Sequence, residues 1–256
     1  MPARRRALVM PLLVAAAAGT ITGMAASAPS PAIVKRRLRR MAELLEGRFG
    51  APEWDGPEEP LGAMVRTILS QSTSDANSSA AFESLRRRFP TWRATAEADP
   101  RDIAAAIRSG GLSNQKSVRI RDFLRWVNAT FGGYTIDSLC DMAPAEAYER
   151  FCCVPGIGVK TVAVTMLFAC GKDVFPVDTH VTRVTRRVGV VPAAASPERI
   201  HRLLEPHVPP GRGLSLHVNL LRLGRTLCRS TPRCEVCPLN RICDTGKGRS
   251  RARTAT

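Results

Sequence analysis

The sequence predicts an all-α protein built from short helices. Apolar residues recur at helical spacing through most of the 256-residue chain, strand-like alternation is scarce, and aromatic residues make up only 5% of the composition. Prolines at 60, 100 and 144 are placed as helix starts, and glycine pairs at 110–111 and 132–133 are placed as helix ends. The length allows one large domain or two small ones.

The helices can be assigned in order from this periodicity. We expect Asp75 to cap the third helix and Asp178 to cap a later one, because a carboxylate at that position accepts a hydrogen bond from the first helical turn. The predicted helices cover 38–49, 60–69, 75–89, 99–111, 113–131, a segment beginning at Pro144, segments following 155–158 and Asp178, a segment beginning at Ser196, and 214–228.

Positive charge is concentrated at the two ends of the sequence. The formal net charge is +16, and residues 1–40 and 247–256 contain twelve basic residues and no acidic ones. Residues 41–246 carry 26 basic and 22 acidic residues, so the central part is only mildly positive. Basic arms are typical of proteins that bind a polyanion, nucleic acid before membrane, although Arg-rich ends also serve solubility alone.

Residues 1–30 have the pattern of a secretory or targeting leader. Three arginines precede an apolar run from Ala7 to Val14, and Ala26-Ser27-Ala28 is a small-residue cleavage pattern. Beyond Val14 the segment is too weakly apolar to predict a membrane span. We therefore place residues 1–30 outside the fold, as a leader or an extension that does not fold.

The eight cysteines form two groups. Cys140, Cys152, Cys153 and Cys170 lie inside apolar helical patterns, and we expect them to be packing residues rather than a disulfide framework. The other four lie within sixteen residues, a spacing that suits zinc or an iron–sulfur cluster and by itself slightly favours zinc. They are Cys228, Cys234, Cys237 and Cys243, with Arg225, Arg229, Arg233 and Arg241 around them as phosphate contacts or as a solvated loop.

A Pro-Gly-Ile-Gly turn separates two helical patterns at 155–158. Gly156 and Gly158 permit a tight turn with positive φ and leave backbone N–H groups uncovered, where they can bind a phosphate; a simple helix–helix turn is the alternative. Lys160 follows in the first helical turn, where the helix dipole and partial burial favour the neutral amine that a Schiff-base nucleophile needs. A phosphate contact is the commoner role for such a lysine.

Taken together, these motifs resemble the endonuclease III family of helix-hairpin-helix DNA glycosylases. The turn with Lys160 is followed eighteen residues later by Asp178 in Val-Asp-Thr-His, and then by the cysteine group. The resemblance extends upstream to Ile68–Asp75 and Gly111–Lys116, and it covers roughly residues 60–243.

The resemblance implies roles for single residues. Lys160 matches the lysine that attacks C1′ of a damaged nucleotide, and Asp178 matches the aspartate that assists base departure. Gln71 and Leu112 match residues that fill the gap left by a flipped-out base. DNA contacts are also expected at Gly156, Gly158 and Arg225. The four clustered cysteines match the ligands of a [4Fe–4S] cluster, although the first gap is one residue shorter than in the family pattern Cys-x6-Cys-x2-Cys-x5-Cys.

The resemblance also implies an architecture. Residues 52–172 are expected to form a six-helix barrel with the helix-hairpin-helix near 147–168. Residues 31–51 and 173–246 are expected to form an iron–sulfur cluster domain, with 247–256 as a basic tail. The implied protein is a monomer in the cytoplasm, at the bacterial nucleoid, without a membrane segment in its folded part, although the leader-like segment points elsewhere.

The implied activity is that of a bifunctional DNA glycosylase and abasic-site lyase in base excision repair. Its expected partner is double-stranded DNA with oxidised pyrimidines or abasic sites, which it would nick by β-elimination. Two alternatives stay open. A monofunctional mismatch, uracil or adenine glycosylase would lack the lysine at position 160, and a non-catalytic DNA-binding protein with a structural metal would not need Lys160 and Asp178 together.

Overall fold

The computed structural model describes residues 29–248, and within that range the chain forms helices and no strands, as predicted. None of these helices is long and apolar enough to cross a membrane. Most of the predicted leader and basic tail, residues 1–28 and 249–256, lies outside the described residues. The α-helices are α1 (Pro31–Phe49), α2 (Pro60–Leu69), α3 (Asp75–Arg88), α4 (Trp92–Glu97), α5 (Pro100–Ala106), α6 (Ser113–Phe131), α7 (Pro144–Phe151), α8 (Val159–Phe168), α9 (Thr179–Val188), α10 (Pro197–Leu204) and α11 (Gly213–Thr226).

The start and stop signals of the sequence explain most helix boundaries. Proline occupies the first position of α1, α2, α5, α7 and α10, where its missing N–H costs no hydrogen bond. The helix α6 ends at Gly132, whose left-handed backbone (φ 72°) is favourable for glycine. The predicted starts at Pro60, Pro100, Pro144 and Ser196-Pro197 are therefore confirmed, whereas α1 begins at Pro31, seven residues before the expected start at Leu38.

Two local expectations, one for the cap at residues 74–75 and one for residues 92–97, were wrong. The helix α4 was not expected, because its apolar stripe is too short to show a period; Thr91 caps it through a hydrogen bond from the N–H of Ala94. The cap of α3 is Ser74 and not Asp75, since the Ser74 hydroxyl accepts from the N–H of Asn77 while Asp75 is the first helical residue.

The helices pack around two hydrophobic cores. The first core is formed by residues between Leu61 and Val174, with Phe123, Phe151 and Met166 fully buried at its centre. The second combines α1 with residues 175–243, and places Leu38, Phe175 and Leu220 together. The chain passes from the first core to the second between α8 and α9, which are the helices that begin next to Lys160 and Asp178.

The four cysteines outside the cluster, Cys140, Cys152, Cys153 and Cys170, differ in their surroundings in the structure. Cys140 and Cys170 form a disulfide that joins the segment after α6 to the end of α8, which corrects the expectation that both are free packing residues. Cys153 is exposed in the turn before α8, and Cys152 is half-buried against the first core. Helical periodicity places a cysteine on a face but does not reveal a partner thirty residues away in the sequence.

A hydrogen-bonded group of side chains connects the two cores. The Tyr148 hydroxyl on α7 donates to the Glu205 carboxylate at 2.8 Å, and Nε2 of His201 lies 3.0 Å from the other carboxylate oxygen. Burial acts to raise the pKa of Glu205, but the hydrogen bonds from His201 and Tyr148 outweigh it and the pKa is lowered overall. The carboxylate is therefore ionised at neutral pH, and it accepts the bond that ties α7 to α10.

We expect Tyr148→Phe to lower the free energy of unfolding by about 1.5 kcal/mol at neutral pH, because it removes a hydrogen bond to a partly buried, ionised carboxylate. Urea unfolding of the variant and of wild type measures the difference. A carboxyl group whose pKa is lower in the folded protein stabilises the fold at pH values above its pKa in the unfolded chain, which is about 4.3 for glutamate. The difference in free energy of unfolding between wild type and the variant should therefore narrow as the pH falls below about 4.

Tyr134→Phe is the matched control, because Tyr134 also packs against the first core and its hydroxyl has no hydrogen-bond partner among residues 29–248. It should leave stability nearly unchanged. An equal loss in both variants would contradict the assignment of a specific bond at Tyr148.

Candidate active site

The turn between α7 and α8 has the predicted shape, with one difference. Gly156 has φ of +87°, a conformation that other residues rarely adopt. Gly158, in contrast, is extended with φ of −107°, so the expectation of positive φ is wrong there. Gly158 is the residue before α8, and a Cβ added to it would meet nothing within 4 Å. Its missing side chain therefore keeps the first N–H groups of α8 open to a ligand, rather than allowing a special backbone conformation.

Lys160 is the second residue of α8 and is half-buried. The N–H groups of the following two residues bond to the Gly158 carbonyl, so the backbone at Lys160 is held in the first helical turn. The Lys160 side chain thus leaves α8 at the N-terminal end, where the helix dipole disfavours positive charge.

Asp178 begins α9, as predicted. Its Oδ1 accepts a hydrogen bond from the N–H of Val181 at 2.7 Å, and the side chain is half-buried. The cap fixes the position of the carboxylate, because one of its oxygens is held by the backbone while the other oxygen is not needed for capping.

A buried histidine anchors the segment that leads into Asp178. His217 of α11 is fully buried, and Phe168 at the end of α8 packs against its ring edge-on. Burial lowers the pKa of His217, so the ring is neutral at physiological pH. Its Nδ1 donates to the carbonyl of Pro176 at 2.9 Å, two residues before Asp178. The segment that leads into the Asp178 cap is therefore anchored to α11.

Arg225 has a partner that the sequence did not indicate. Its guanidinium group lies 2.8 Å from the carboxylate of Asp75, at the start of α3. Both side chains are largely exposed, so a phosphate group could replace the carboxylate at little cost. The contact brings the end of α11 next to the loop that carries Gln71.

Gln71 and Leu112 lie in two loops that a buried lysine holds together. Leu112 is 52% exposed and precedes α6 in a left-handed conformation with φ of +47°. The Gln71 loop contains the other non-glycine residue with positive φ among those described, Ser72 at +55°. Lys116 donates to the carbonyls of Leu69 and Gly110, both at 2.7 Å, and these residues stand just before the two loops.

The four clustered cysteines line one small cavity at the end of α11. Cys228 and Cys243 are 9% exposed, and Cys234 and Cys237 are half-buried. Burial and the neighbouring thiols raise the pKa of Cys237 to about 11, and burial also raises the pKa of Cys243. Within residues 29–248, no three His, Cys, Asp or Glu side chains converge closely enough to hold a single metal ion. The four thiols are the only His, Cys, Asp or Glu side chains among the described residues that line this cavity.

Two arginines of α9 connect the cysteine loop to the helix that Asp178 begins. Arg187 donates to the sulfur of Cys228 at 3.4 Å, and the Cys243 thiol lies 3.2 Å from the Arg187 carbonyl. Arg183 donates to the carbonyl of Cys228 at 2.8 Å and to Nδ1 of His180 at 2.9 Å. Because arginine has no acceptor, His180 accepts through Nδ1 and carries its proton on Nε2.

Local sequence patterns did not single out Lys116, Arg183, Arg187 or His217 as functional residues. Lysine and arginine are usually solvent-exposed, and a lone histidine in an apolar helix is usually a core residue, so nothing local distinguishes these four. One signal was present for Lys116: it lies within the Gly111–Lys116 motif, although its contacts come from residues 47 and 6 positions away.

Comparison with known proteins gives the family. The model of the HhH-GPD superfamily of base excision DNA repair proteins matches residues 65–210, which include the turn, Lys160 and Asp178. The chain belongs to this superfamily. It is accordingly a base excision repair DNA glycosylase, and its likeness to endonuclease III is confirmed.

The relatives differ in how much of their length is matched. Endonuclease III of Thermotoga maritima is 31% identical over 201 residues, which are 77% of this glycosylase and 90% of the relative. A DNA glycosylase homologue from Arabidopsis thaliana is 32% identical over 168 residues, 66% of this chain but only 57% of the plant protein. A solved structure of a non-covalent endonuclease III–DNA complex superimposes with a TM-score of 0.71 at 25% identity, covering 85% of this chain and 98% of that one.

We expect Asp178→Asn to change the free energy of unfolding of the glycosylase by less than about 1 kcal/mol, because asparagine caps a helix as well as aspartate does. Asp178→Ala should cost more, about 1 kcal/mol or above, because the N–H of Val181 loses its acceptor. Chemical unfolding of both variants separates the cap from any role of the charge. Equal losses would show that the carboxylate charge, and not the cap, supports the fold.

Proposed function

We propose that this glycosylase is bifunctional: it removes oxidised or ring-saturated pyrimidines and then cuts the DNA strand as an abasic-site lyase. The observation that carries the proposal is the position of Lys160, half-buried in the first turn of α8 directly after the Gly156–Gly158 turn, with Asp178 at the start of the next helix and both inside the matched superfamily region. A lysine there supplies the amine that a lyase needs as its nucleophile, and Asp178 supplies a carboxylate.

The proposed reaction uses these side chains in two steps. The Nζ lone pair of neutral Lys160 attacks C1′ as the glycosidic C–N bond breaks, the base leaves with the bonding electrons, and the base takes up the proton that Nζ releases on forming its new bond. Asp178 stabilises the positive charge that develops on the sugar. Opening of the sugar gives a Schiff base between C1′ and Nζ, and loss of a C2′ proton then expels the 3′ phosphate. The base must leave the stack first, because C1′ is not accessible within a duplex.

DNA binding is proposed to rest on three groups of atoms. The N–H groups at the start of α8, next to the open space at Gly158, would hold one phosphate, and Arg225 would exchange its Asp75 partner for another. Leu112, exposed and held in its loop by the Lys116 anchor, would enter the gap left by the flipped nucleotide together with Gln71. The endonuclease III–DNA complex among the structural relatives supports this arrangement.

We also propose that Cys228, Cys234, Cys237 and Cys243 hold a [4Fe–4S] cluster. All four thiols line one cavity, and the guanidinium of Arg187 next to Cys228 offsets part of the negative charge of a four-thiolate set. Zinc would draw the four sulfurs to about 2.3 Å from one ion, whereas a cluster has a separate iron for each thiolate and suits a wider ring. When bound, the cluster would cross-link the loop after α11 through four iron–sulfur bonds.

The lyase proposal predicts a covalent intermediate. Borohydride reduces a Schiff base to a stable amine, so wild-type protein should become attached to abasic-site DNA, and Lys160→Gln should abolish the adduct because an amide cannot attack C1′. Lys172, which is half-buried beyond the end of α8, provides a control. The Lys172→Gln variant should form as much covalent adduct as the wild-type protein. Gel separation of the trapped complex measures both.

Binding of the Lys160→Gln variant to a duplex with a non-cleavable abasic analogue separates the two roles of the lysine. Binding should be retained, because the hairpin N–H groups remain. A variant that binds weakly but still forms the adduct would show that Lys160 contacts phosphate and that another amine is the nucleophile.

The cluster proposal predicts about four iron atoms and matching sulfide per chain after anaerobic purification. Cys237→Ser should lower the iron content and the visible absorbance together, whereas Cys153→Ser, at an exposed thiol far from the cavity lining, should leave both unchanged. Stoichiometric zinc without iron in the wild-type protein would contradict the proposal.

A further inference from the structure

The side chain of Arg119 lies between Gln71 and the hairpin turn. It projects from α6, and its NH1 donates to Oε1 of Gln71 at 3.1 Å. Its aliphatic part covers Gly156 so closely that a Cβ added to that glycine would lie 2.8 Å from Cδ of the arginine. Gly156 is therefore required twice, for its positive φ and for the space that Arg119 occupies. The arginine is half-buried, and no carboxylate within residues 29–248 forms a salt bridge with it.

This contact determines which way the Gln71 amide faces. A glutamine amide can usually turn over, so that its oxygen and nitrogen exchange places and the side chain offers either an acceptor or donors. Arginine has five N–H donors and no acceptor, so only the amide oxygen can face Arg119. The amide nitrogen of Gln71 points to the other side and has no hydrogen-bond partner among the described residues. Gln71 thus presents N–H donors.

The arginine itself is held in place from two directions. Lys116, one helical turn before it on α6, anchors that turn to the carbonyls of Leu69 and Gly110. The hairpin covers the arginine stem from the opposite side at Gly156. These contacts hold the arginine, and with it the orientation of the amide, in the protein without a ligand.

We infer that Arg119 is a specificity-determining positioning residue, which fixes the Gln71 amide so that its N–H donors face the base opposite the lesion. This inference rests on the proposed function, in which Gln71 occupies the gap in the duplex. An opposite base with a free acceptor on its Watson–Crick edge, such as N1 of adenine, then receives a hydrogen bond. A base with only a C–H or a donor at that position does not, because Arg119 prevents the amide from turning.

The test compares two opposite bases that differ in one atom. Duplexes carry a non-cleavable tetrahydrofuran abasic analogue opposite adenine or opposite 1-deazaadenine, which has C–H in place of N1. Wild-type protein should bind the adenine duplex roughly fivefold more tightly, the effect of one hydrogen bond. The ratio of the two dissociation constants is the readout, because changes in stability or in general phosphate affinity cancel from it.

Two substitutions of Arg119 form a matched pair. Arg119→Lys keeps a side chain that only donates, so the ratio should stay near the wild-type value. Arg119→Met keeps the stem over Gly156 but frees the amide, which can then turn and accept from the 6-amino group that both bases carry. The ratio should fall below about twofold, mainly through tighter binding of the 1-deazaadenine duplex.

Gln71→Glu provides an independent variant. A carboxylate at position 71 would pair with Arg119 and present an acceptor to the opposite base, so the preference should reverse in favour of 1-deazaadenine. Two results would overturn the assignment of Arg119 while leaving the proposed function intact. One is an Arg119→Met variant with the wild-type ratio of the two dissociation constants. The other is a ratio of one in a wild-type protein that still binds the abasic duplex more tightly than undamaged duplex. Equal wild-type affinity for abasic and undamaged duplexes would overturn the proposed function and this inference together.

Discussion

The buried ammonium group of Lys116 is the constraint on which the arrangement of the two exposed loops depends. It is 1% exposed and bonds to two carbonyls, each just before a loop. Burial, followed by the charge of Arg119, lowers the pKa of Lys116, and the two carbonyl dipoles compensate for part of the lost hydration. Ser72 and Leu112 both have backbones that cost about 1 kcal/mol or more for a residue with a side chain, and such conformations persist only where the surroundings impose them. One side chain therefore sets the start of both loops.

Hydrogen bonds from side chains to loop backbone also connect the candidate catalytic carboxylate with the thiol cavity. Asp178 caps α9 at its first turn, while Arg183 and Arg187 reach from the following turns to the loop around Cys228. Gly224 allows this approach, since a Cβ there would lie 2.7 Å from the ring of His180. A single helix thus carries the carboxylate at one end and the contacts to the thiol loop along its length. Whatever fixes that loop also restrains the axis of α9, and with it the direction of the Asp178 side chain.

The sequence predicted the helices well because their boundaries are local. Prolines at first helical positions, Ser196 and Asp178 as caps and Gly132 as a C-terminal stop each act within one turn. The short helix at Trp92 was missed because six residues give no measurable period. The disulfide between Cys140 and Cys170, the ion pair of Arg225 with Asp75 and the contact of Arg119 with Gln71 join residues 30 to 150 positions apart. No local pattern encodes such partners, so motif spacing could name candidate residues but not their orientation.

The candidate site lies where the two hydrophobic cores meet, and each core supplies one of its members. Lys160 begins a helix of the first core, and Asp178 begins a helix of the second. Their relative position depends on contacts that cross the boundary: His217 with Phe168 and with the carbonyl of Pro176, and Tyr148 with Glu205. Since the proposed chemistry requires the amine and the carboxylate to act on the same sugar, a shift of one core against the other would separate them even if both helices stayed intact. The contacts across the boundary between the cores therefore position the two residues of the candidate site.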